Sequence, residues 1–205
     1  MQVAVLGASG KGGSEIVKEL VARGHSVLGI SRNPQNIPEF DGVIPRAGDA
    51  SKPDELAPLL EGMDAVISAV HFDIECETLL SAVRQAGVHR LLVMGGAASL
   101  NGPDGVMLYD SPNFPEEIKP MVKPAIDFLE ELRKEKEIDW TFFSPAMLIF
   151  EGERRGPDSF RLGRDDLVTD AEGSSKISYA DFAIAMVDEL ERPQYSRARF
   201  TAAYA

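Results

Sequence analysis

The chain has 205 residues, of which 44% are hydrophobic, and its formal net charge is −12 at pH 7. The acidic balance disfavours nucleic acid and anionic membranes as partners, and no apolar run approaches the ~20 residues of a membrane-spanning helix. The single cysteine, Cys76, excludes an internal disulfide and is typical of a reducing compartment, so we expect a cytoplasmic protein. The three histidines lack metal-ligand spacing, so no metal site is expected.

Strand and helix patterns alternate through the first two-thirds of the chain. The predicted strands are QVAVLG, HSVLGIS, VIPRAGDA, MDAVISAV, VHRLLVMGG and DWTFFSPAMLI. The predicted helices are SEIVKELVARG, which starts at Ser14 and ends at Gly24; KPDELAPLL, capped by Ser51 and shortened or distorted by Pro58; IECETLLSAVRQAG; and PEEIKPMVKPAIDFLEELRKEKE, broken in its first half by Pro120 and Pro124. Strands that are apolar on both faces belong in a parallel sheet with helices on both sides. The sequence therefore predicts an α/β fold with a Rossmann-like doubly wound parallel sheet, in the order 3-2-1-4-5-6.

The pattern changes after about Phe150. Residues 151–178 are polar, charged and rich in glycine, which is typical of loops and short strands. The stretch SYAD then predicts a capping box, with Ser178 at the N-cap and Asp181 at N3, before the helix YADFAIAMVDELER and a last strand, RARFTAAY. Because no repeat or flexible linker interrupts the chain, we expect one domain over residues 1–205, with residues 151–205 as a small lobe that covers the substrate.

A glycine-studded turn joins the first predicted strand to the first helix. Glycines at 7, 10 and 13 give the spacing GxxGxxG, a variant of the dinucleotide-binding GxGxxG motif, in the strand–turn–helix context that the motif requires. Gly7 permits the tight turn, Gly10 lets the backbone approach a pyrophosphate, and Gly13 lets the helix pack closely on the strand. The sequence therefore predicts a dinucleotide at the N-terminus of this helix.

Seven stretches, in this order along nearly the whole chain, resemble one known family. They are GASGKGG, ISRNP, AGDA, DAVISAV, VMGGAASL, DWTFFSPA and RLGRDDLVTDAEGSSKIS. They are similar to the atypical short-chain dehydrogenase/reductase family, in the branch usually called NADH-flavin reductases or NAD(P)H-binding proteins, with NmrA-like proteins and biliverdin reductase B as more distant relatives. The resemblance implies a nicotinamide cofactor. Its implied contacts are Ser9, Lys11, Gly12, Asp49 beside the adenine, Ala69, Val70, Gly95, Gly96, and Pro145 with Ala146 beside the nicotinamide carboxamide.

The end of the second strand indicates which nicotinamide cofactor is bound. NAD-binding domains of this kind usually carry an acidic residue there, whereas this chain reads GISRNP, with no carboxylate between Val27 and Pro34. Arg32 stands where a 2′-phosphate would lie, and Ser31 is a second donor beside it. We therefore expect NADP, with NADPH preferred over NADH; Lys11 either supports the phosphates or is an exposed loop lysine.

The catalytic residues are harder to predict. None of the four tyrosines has a lysine four residues later, as the better-known short-chain reductases require, and Ile118 occupies the position where related chains commonly carry a tyrosine. Hydride transfer to a flavin needs no such proton donor, so the departure fits a flavin reductase. His71 and Lys119 remain candidates that contact cofactor or substrate, or else are solvated surface residues. Phe114, Met147 and Phe150 form either an apolar wall for a flat substrate or ordinary packing, and Cys76 is expected to be structural.

Three functions are compatible with these residues. The first is an NADPH-dependent oxidoreductase that transfers hydride to a flavin, a quinone or a similar flat acceptor. The second is a non-catalytic NADP(H)-binding regulator of the NmrA type, which the missing tyrosine–lysine pair supports. The third is a nucleotide-sugar epimerase, against which the missing tyrosine and the short C-terminal lobe both count.

Overall fold

The computed structural model describes all 205 residues and contains ten strands and five helices. The strands are β1 (Gln2–Leu6), β2 (Ser26–Ser31), β3 (Val43–Ala47), β4 (Ala65–Ser68), β5 (Arg90–Met94), β6 (Asp139–Pro145), β7 (Leu148–Phe150), β8 (Phe160–Gly163), β9 (Lys176–Ser178) and β10 (Ala198–Tyr204). The helices are α1 (Lys11–Ala22), α2 (Pro53–Leu60), α3 (Cys76–Gln85), α4 (Lys119–Leu132) and α5 (Tyr179–Glu191). No helix combines the length and apolar composition needed to cross a bilayer.

The central sheet has eight strands in the order β3-β2-β1-β4-β5-β6-β10-β8. All pairs are parallel except β10 with β8, which is antiparallel. The predicted order 3-2-1-4-5-6 is therefore confirmed. The chain adds strands first from β1 toward β3 and then from β4 toward β6, so the connections that follow β1 and β4 run to opposite sides. This arrangement leaves a crevice at the carboxyl ends of these two parallel strands.

The two faces of the sheet bury different helices, because successive side chains of a strand point to opposite sides. Val3 and Val5 of β1 belong to a core cluster with α1 and α5. Ala4 and Leu6 belong to a second cluster with α2, α3 and α4. Every residue of β1 after Gln2 is thus buried, which explains the continuous apolar run that begins the chain.

The C-terminal third contributes to the main sheet and also to a separate, smaller sheet. β10 extends the sheet beside β6, and α5 packs against α1, where Arg23 forms ion pairs with Asp188 and Glu191. By contrast, β7 and β9 form a separate two-stranded sheet. The predicted lobe, residues 151–205, therefore supplies two strands, β8 and β10, and helix α5 to the main layers, and only β9, with β7 before it, pairs apart from the main sheet.

Three predictions about helices α2 and α4 are corrected by the structure. Pro120 lies in the first turn of α4, where its missing N–H is not needed, and the helix continues through Pro124, one turn further on, without the hydrogen bond that Pro124 cannot donate. Pro58 likewise lies inside α2. Ser51 does not cap α2, because the helix begins after Lys52, and the Ser51 hydroxyl instead donates to Asp49.

Helix α1 also begins earlier than the sequence pattern predicts, at Lys11 rather than Ser14. Its C-terminal end is as expected, since Gly24 has a φ of 81° just beyond the last turn. The earlier start places Lys11 and the two following glycines in the first turn of the helix. The glycine turn itself is therefore shorter and tighter than predicted.

Candidate cofactor site

A cleft of about 440 Å³ lies beyond the carboxyl ends of β1, β2, β3 and β4. It gathers most of the predicted cofactor contacts, although they come from four separate loops. The predicted residues that line it are Gly7, Ser9, Gly10, Ser31, Arg32, Asp49, Ala69, Val70 and His71. The topology places them together because the carboxyl ends of parallel strands meet at one edge of the sheet.

Gly7 and Gly13 have the structural roles that their spacing predicts. Gly7 has a φ of 78°, and a Cβ there would lie 2.7 Å from the carbonyl oxygen of Ala69. A Cβ at Gly13 would overlap the carbonyl oxygen of Gly7, so the helix packs against the turn only without a side chain. A Cβ at Gly10 would meet only that same oxygen, at 3.3 Å, and this side of the turn is open to the cleft.

The N-terminus of α1 fits a pyrophosphate. No side chain caps it, and its first turn contains no acidic residue. The backbone N–H groups of Lys11, Gly12 and Gly13 have no acceptor within the turn. Unpaired N–H groups and the positive end of the helix dipole favour an anion at this point, so the turn is a suitable cradle for the diphosphate of a dinucleotide.

The end of β2 carries the two predicted donors to a 2′-phosphate. The hydroxyl oxygens of Ser31 and Ser9 lie 2.8 Å apart, and the Ser31 hydroxyl also accepts a hydrogen bond from the N–H of Asn33. Arg32 lines the cleft, is exposed and forms no ion pair. Its guanidinium is therefore available to a ligand, as the prediction of an NADP site requires.

Asp49 lies across the cleft from the glycine turn. Its carboxylate accepts hydrogen bonds from the N–H and the hydroxyl of Ser51, at 3.0 and 2.7 Å. These bonds and the nearby Arg32 hold the pKa of Asp49 below its ordinary value. Asp49 is thus an ionised hydrogen-bond acceptor at neutral pH, which suits an adenine amino group. Its hydrogen bonds with Ser51 also order the turn that precedes α2.

Lys11 is not free in the structure. Its Nζ lies 3.2 Å from a carboxylate oxygen of Glu151, and both side chains are largely exposed. The contact joins the glycine turn to the segment that follows β7. A carboxylate at this point opposes anion binding, and a diphosphate at the glycine turn would compete with Glu151 for Lys11.

Several predicted contacts lie outside the cleft. Gly12 is buried, and a Cβ there would lie 2.5 Å from the sulfur of Met94, so packing explains this glycine. A Cβ at Gly95 would overlap the ring of Phe142, which also gives that glycine a packing role. Packing alone thus accounts for the glycines at these two positions, and their predicted contact with the cofactor stays a prediction. Gly96 and Pro145 also do not line the cleft, and Pro145 is buried at the end of β6.

The two catalytic candidates occupy different places. His71 lines the cleft and is exposed, without a hydrogen-bond partner in the protein. Lys119 stands at the start of α4, where its Nζ donates to Glu116 at 2.6 Å and lies 5.3 Å from the centroid of the Tyr109 ring. The hydrogen bond that Lys119 donates to Glu116 raises the pKa of Lys119, which keeps this lysine protonated at neutral pH.

The predicted apolar wall is only partly assembled. Met147 is 62% exposed and Leu148 beside it is 56% exposed, at the carboxyl end of β6. Phe114 instead packs on Tyr109, with ring centroids 5.8 Å apart. Phe150 packs against the α1–α5 core, which agrees with ordinary packing, the second of the two predicted alternatives. The exposed pair of Met147 and Leu148 remains as an apolar surface at the edge where the strands end.

Cys76 is buried at the start of α3. Burial raises the pKa of its thiol to about 12, and the nearby carboxylates of Glu131 and Glu77 add to the effect. The thiol is therefore protonated at neutral pH and is a poor nucleophile. The prediction of a structural cysteine fits this environment.

The carboxylate of Asp181 makes long-range contacts that the capping box did not predict. Ser178 caps α5 by accepting from the N–H of Asp181, at 3.1 Å. The carboxylate of Asp181, however, is fully buried and accepts from the Tyr204 hydroxyl and from the N–H groups of Arg155 and Gly156. It thereby ties the segment after β7 to α5 and β10. The sequence signal shows the cap but not these distant partners.

The fold and the glycine turn define a Rossmann-like nucleotide-binding protein. A family model described as NAD(P)H-binding matches residues 7–193, and the chain belongs to that family. The Bacillus subtilis protein YwnB, described as uncharacterized, is 37% identical over 98% of this chain and 97% of its own length. The resemblance to NAD(P)H-binding short-chain reductases is confirmed.

Two solved structures show the same fold with substantial identity. One, from Bacteroides thetaiotaomicron and provisionally named an epimerase, is 42% identical, with a TM-score of 0.92 over 99% of this chain and 96% of the other. The other, from Streptococcus pneumoniae and provisionally named an NADH-flavin reductase, is 34% identical, with a TM-score of 0.84 over the whole of both chains. Together with the family match, these relatives support an oxidoreductase that uses a nicotinamide cofactor.

Proposed function

We propose that this protein is an NADPH-preferring reductase that passes hydride to a flavin, a quinone or a similar flat acceptor. The observation that carries the cofactor preference is Arg32, a guanidinium without an ion-pair partner at the end of a β2 strand that carries no carboxylate. The class of acceptor is supported by the relative named an NADH-flavin reductase and by the exposed Met147 and Leu148.

In the proposed reaction the bound cofactor supplies hydride, and the chain's own residues hold and orient the reactants. The uncapped N-terminus of α1 binds the diphosphate, while Arg32 and Ser31 bind the 2′-phosphate. The carboxyl ends of β5 and β6 border the nicotinamide, and Met147 with Leu148 offers an apolar surface to the acceptor. Positioning two rings face to face is sufficient for hydride transfer to a flavin, so no tyrosine acid is required.

The test is steady-state oxidation of NADPH by the purified protein against free FMN, FAD, riboflavin, quinones and aldehydes. We expect turnover with at least one flavin or quinone, faster with NADPH than with NADH. Tight NADPH binding without turnover of any acceptor would instead support a regulator of the NmrA type. Conversion of a nucleotide-sugar without net NADPH oxidation would support an epimerase.

A further inference from the structure

Tyr179 is the one tyrosine whose side chain has no structural role in the fold. The other three either donate a hydrogen bond or pack on an aromatic ring: Tyr204, Tyr195 and Tyr109. Tyr179 is half-buried, yet its hydroxyl has no hydrogen-bond partner in the protein, and its ring belongs to neither hydrophobic core cluster. A tyrosine hydroxyl that is withdrawn from bulk water usually finds a partner, so this one is available to a ligand.

The backbone around Tyr179 is held rigidly. Tyr179 is the first residue of α5 and follows Ser178, which caps the helix by accepting from the N–H of Asp181 at 3.1 Å. Both Ser178 and Asp181 are fully buried, and the Asp181 carboxylate also accepts from the Tyr204 hydroxyl at 2.6 Å. The side chain of Tyr179 therefore extends from a fixed point, which reduces the ordering cost of any contact that it makes with a ligand.

Tyr179 lines a second cavity, of about 330 Å³, which adjoins the glycine turn. Ser9 and Gly10 line both this cavity and the cofactor cleft, so the two spaces meet at the turn. The ion pair of Lys11 and Glu151 borders the same cavity. This space, called here the α5 cavity, therefore extends the cleft from the glycine turn to the start of α5.

The ring of Tyr179 lies beside the first turn of α1. A Cβ placed on Gly12 would be 3.6 Å from Cδ1 of the Tyr179 ring. Gly12 is one of the three residues in that turn whose backbone N–H groups have no acceptor in the protein. Two helices thus supply hydrogen-bond donors next to one another, since α1 offers unpaired N–H groups and α5 offers an unpaired hydroxyl.

We propose that Tyr179 is a cofactor-binding residue, whose hydroxyl donates a hydrogen bond to the diphosphate at the N-terminus of α1. This assignment rests on the proposed function, in which that N-terminus binds the diphosphate. Phosphate oxygens only accept hydrogen bonds, and a hydroxyl that donates to a charged oxygen makes a stronger bond than one between neutral groups. Because a phenol is neutral, Tyr179 forms no ion pair with Glu151, whereas Lys11 does. The C-terminal third of the chain thereby contributes a donor to a site whose motif lies in the first helix.

The diphosphate is common to NADPH and NADH, so loss of the Tyr179 hydroxyl should weaken the binding of both. We expect Tyr179→Phe to lower the affinity for each cofactor by about tenfold and to leave the ratio of the two affinities unchanged. Binding of adenosine 2′-monophosphate, which has no diphosphate, should not change. The measurement is calorimetric titration of the parent protein and the variant with these three ligands at fixed salt.

The matched control is Tyr195→Phe. The Tyr195 hydroxyl likewise has no hydrogen-bond partner in the protein, but Tyr195 lines neither the cofactor cleft nor the α5 cavity. This variant should bind both cofactors as the parent protein does. Since the Tyr179 hydroxyl makes no bond within the protein, Tyr179→Phe should also keep the parent's melting temperature, which separates lost affinity from lost stability.

The possible outcomes separate this assignment from the proposed function. Unchanged affinity of Tyr179→Phe for both cofactors, when the parent protein binds them, would overturn the assignment and leave the proposed function standing. A loss confined to NADPH, or one shared by adenosine 2′-monophosphate, would place the hydroxyl near the 2′-phosphate and would also overturn it. A parent protein that binds neither cofactor would overturn the proposed function and the assignment together.

Discussion

The hydroxyl oxygens of Ser9 and Ser31 lie 2.8 Å apart and join the glycine turn to the end of β2. In the proposed complex, the first of these segments holds the diphosphate and the second holds the 2′-phosphate. The hydrogen bond therefore fixes the distance between the two phosphate-binding regions before any ligand arrives. Such preorganisation reduces the ordering cost of binding, and it gives the cofactor predictions below a defined geometry.

Arg32 should determine the choice between the two nicotinamide cofactors. Replacing Arg32 by Ala removes a charge-assisted hydrogen bond of ~1.5–3 kcal/mol, so NADPH affinity should fall by about tenfold to a hundredfold. NADH, which has no 2′-phosphate, should bind nearly as before. The measurement is the dissociation constant of each cofactor at fixed salt, with Arg46→Ala as the control. Equal losses for both cofactors would show that Arg32 contacts a group common to them.

A carboxylate at the same position should reverse the preference. Arg32→Asp repels the 2′-phosphate and offers an acceptor to the ribose hydroxyls of NADH. We expect NADH to bind at least as tightly as NADPH in this variant, as measured by calorimetric titration. Retained NADPH preference would place the 2′-phosphate elsewhere in the cleft.

The glycines of the turn should respond differently to substitution. Gly10→Val should fold, because a Cβ there meets only one backbone oxygen at 3.3 Å, but it should abolish binding by filling the approach of the diphosphate. Gly13→Val forces the helix away from Gly7 and should lower the free energy of unfolding by ~1–3 kcal/mol. Thermal melts and NADPH titrations of both variants distinguish the two effects. A folded Gly10→Val protein of unchanged affinity would exclude this turn as the ligand site.

Glu151 should weaken cofactor binding through Lys11. In Glu151→Gln the lysine is released toward the diphosphate, and NADPH affinity should rise by about twofold, the scale of an exposed ion pair. Lys11→Gln should lower affinity, and the double variant should behave as Lys11→Gln alone. Additive effects in this double-mutant cycle would mean that Glu151 acts on the cofactor independently of Lys11.

Glu135 should make stability depend on acid pH. Burial opposes its ionisation, but hydrogen bonds from the N–H groups of Glu137 and Ile138 and the charge of Arg84 prevail and lower its pKa. Because the folded pKa lies below the ordinary value of 4.5, its contribution is complete above that pH and is lost as pH falls through the folded pKa.

Glu135→Gln should therefore lose about 1–2 kcal/mol at neutral pH and show a flatter decline of stability below about pH 4.5. Urea denaturation at a series of pH values gives the comparison, with the exposed Glu130→Gln as control. A variant that matches the parent protein at pH 7 but diverges from it in acid would contradict this assignment.

Much of the fold is predictable from local sequence. The apolar runs, the amphipathic segments and the glycine turn depend on residues close together in the chain, so their patterns give the strand order and the position of the dinucleotide site. The charge at the end of β2 is also a local feature, which is why Arg32 stands out without a structure. The prolines of α4 misled the prediction because Pro120 lies in the first turn, where no N–H is needed, and the packing of the helix on the sheet outweighs the one hydrogen bond that Pro124 removes.

The sequence by itself determined the Rossmann-like core, the edge at which a dinucleotide is expected and the absence of a tyrosine–lysine catalytic motif. Only the tertiary structure decided which distant side chains meet. Lys11 and Glu151 are 140 residues apart, and Arg199 near the start of β10 donates to the carbonyl oxygen of Ser99, 100 residues away. Such contacts depend on how the layers pack and on where β10 joins the sheet, and no periodicity along the chain records either.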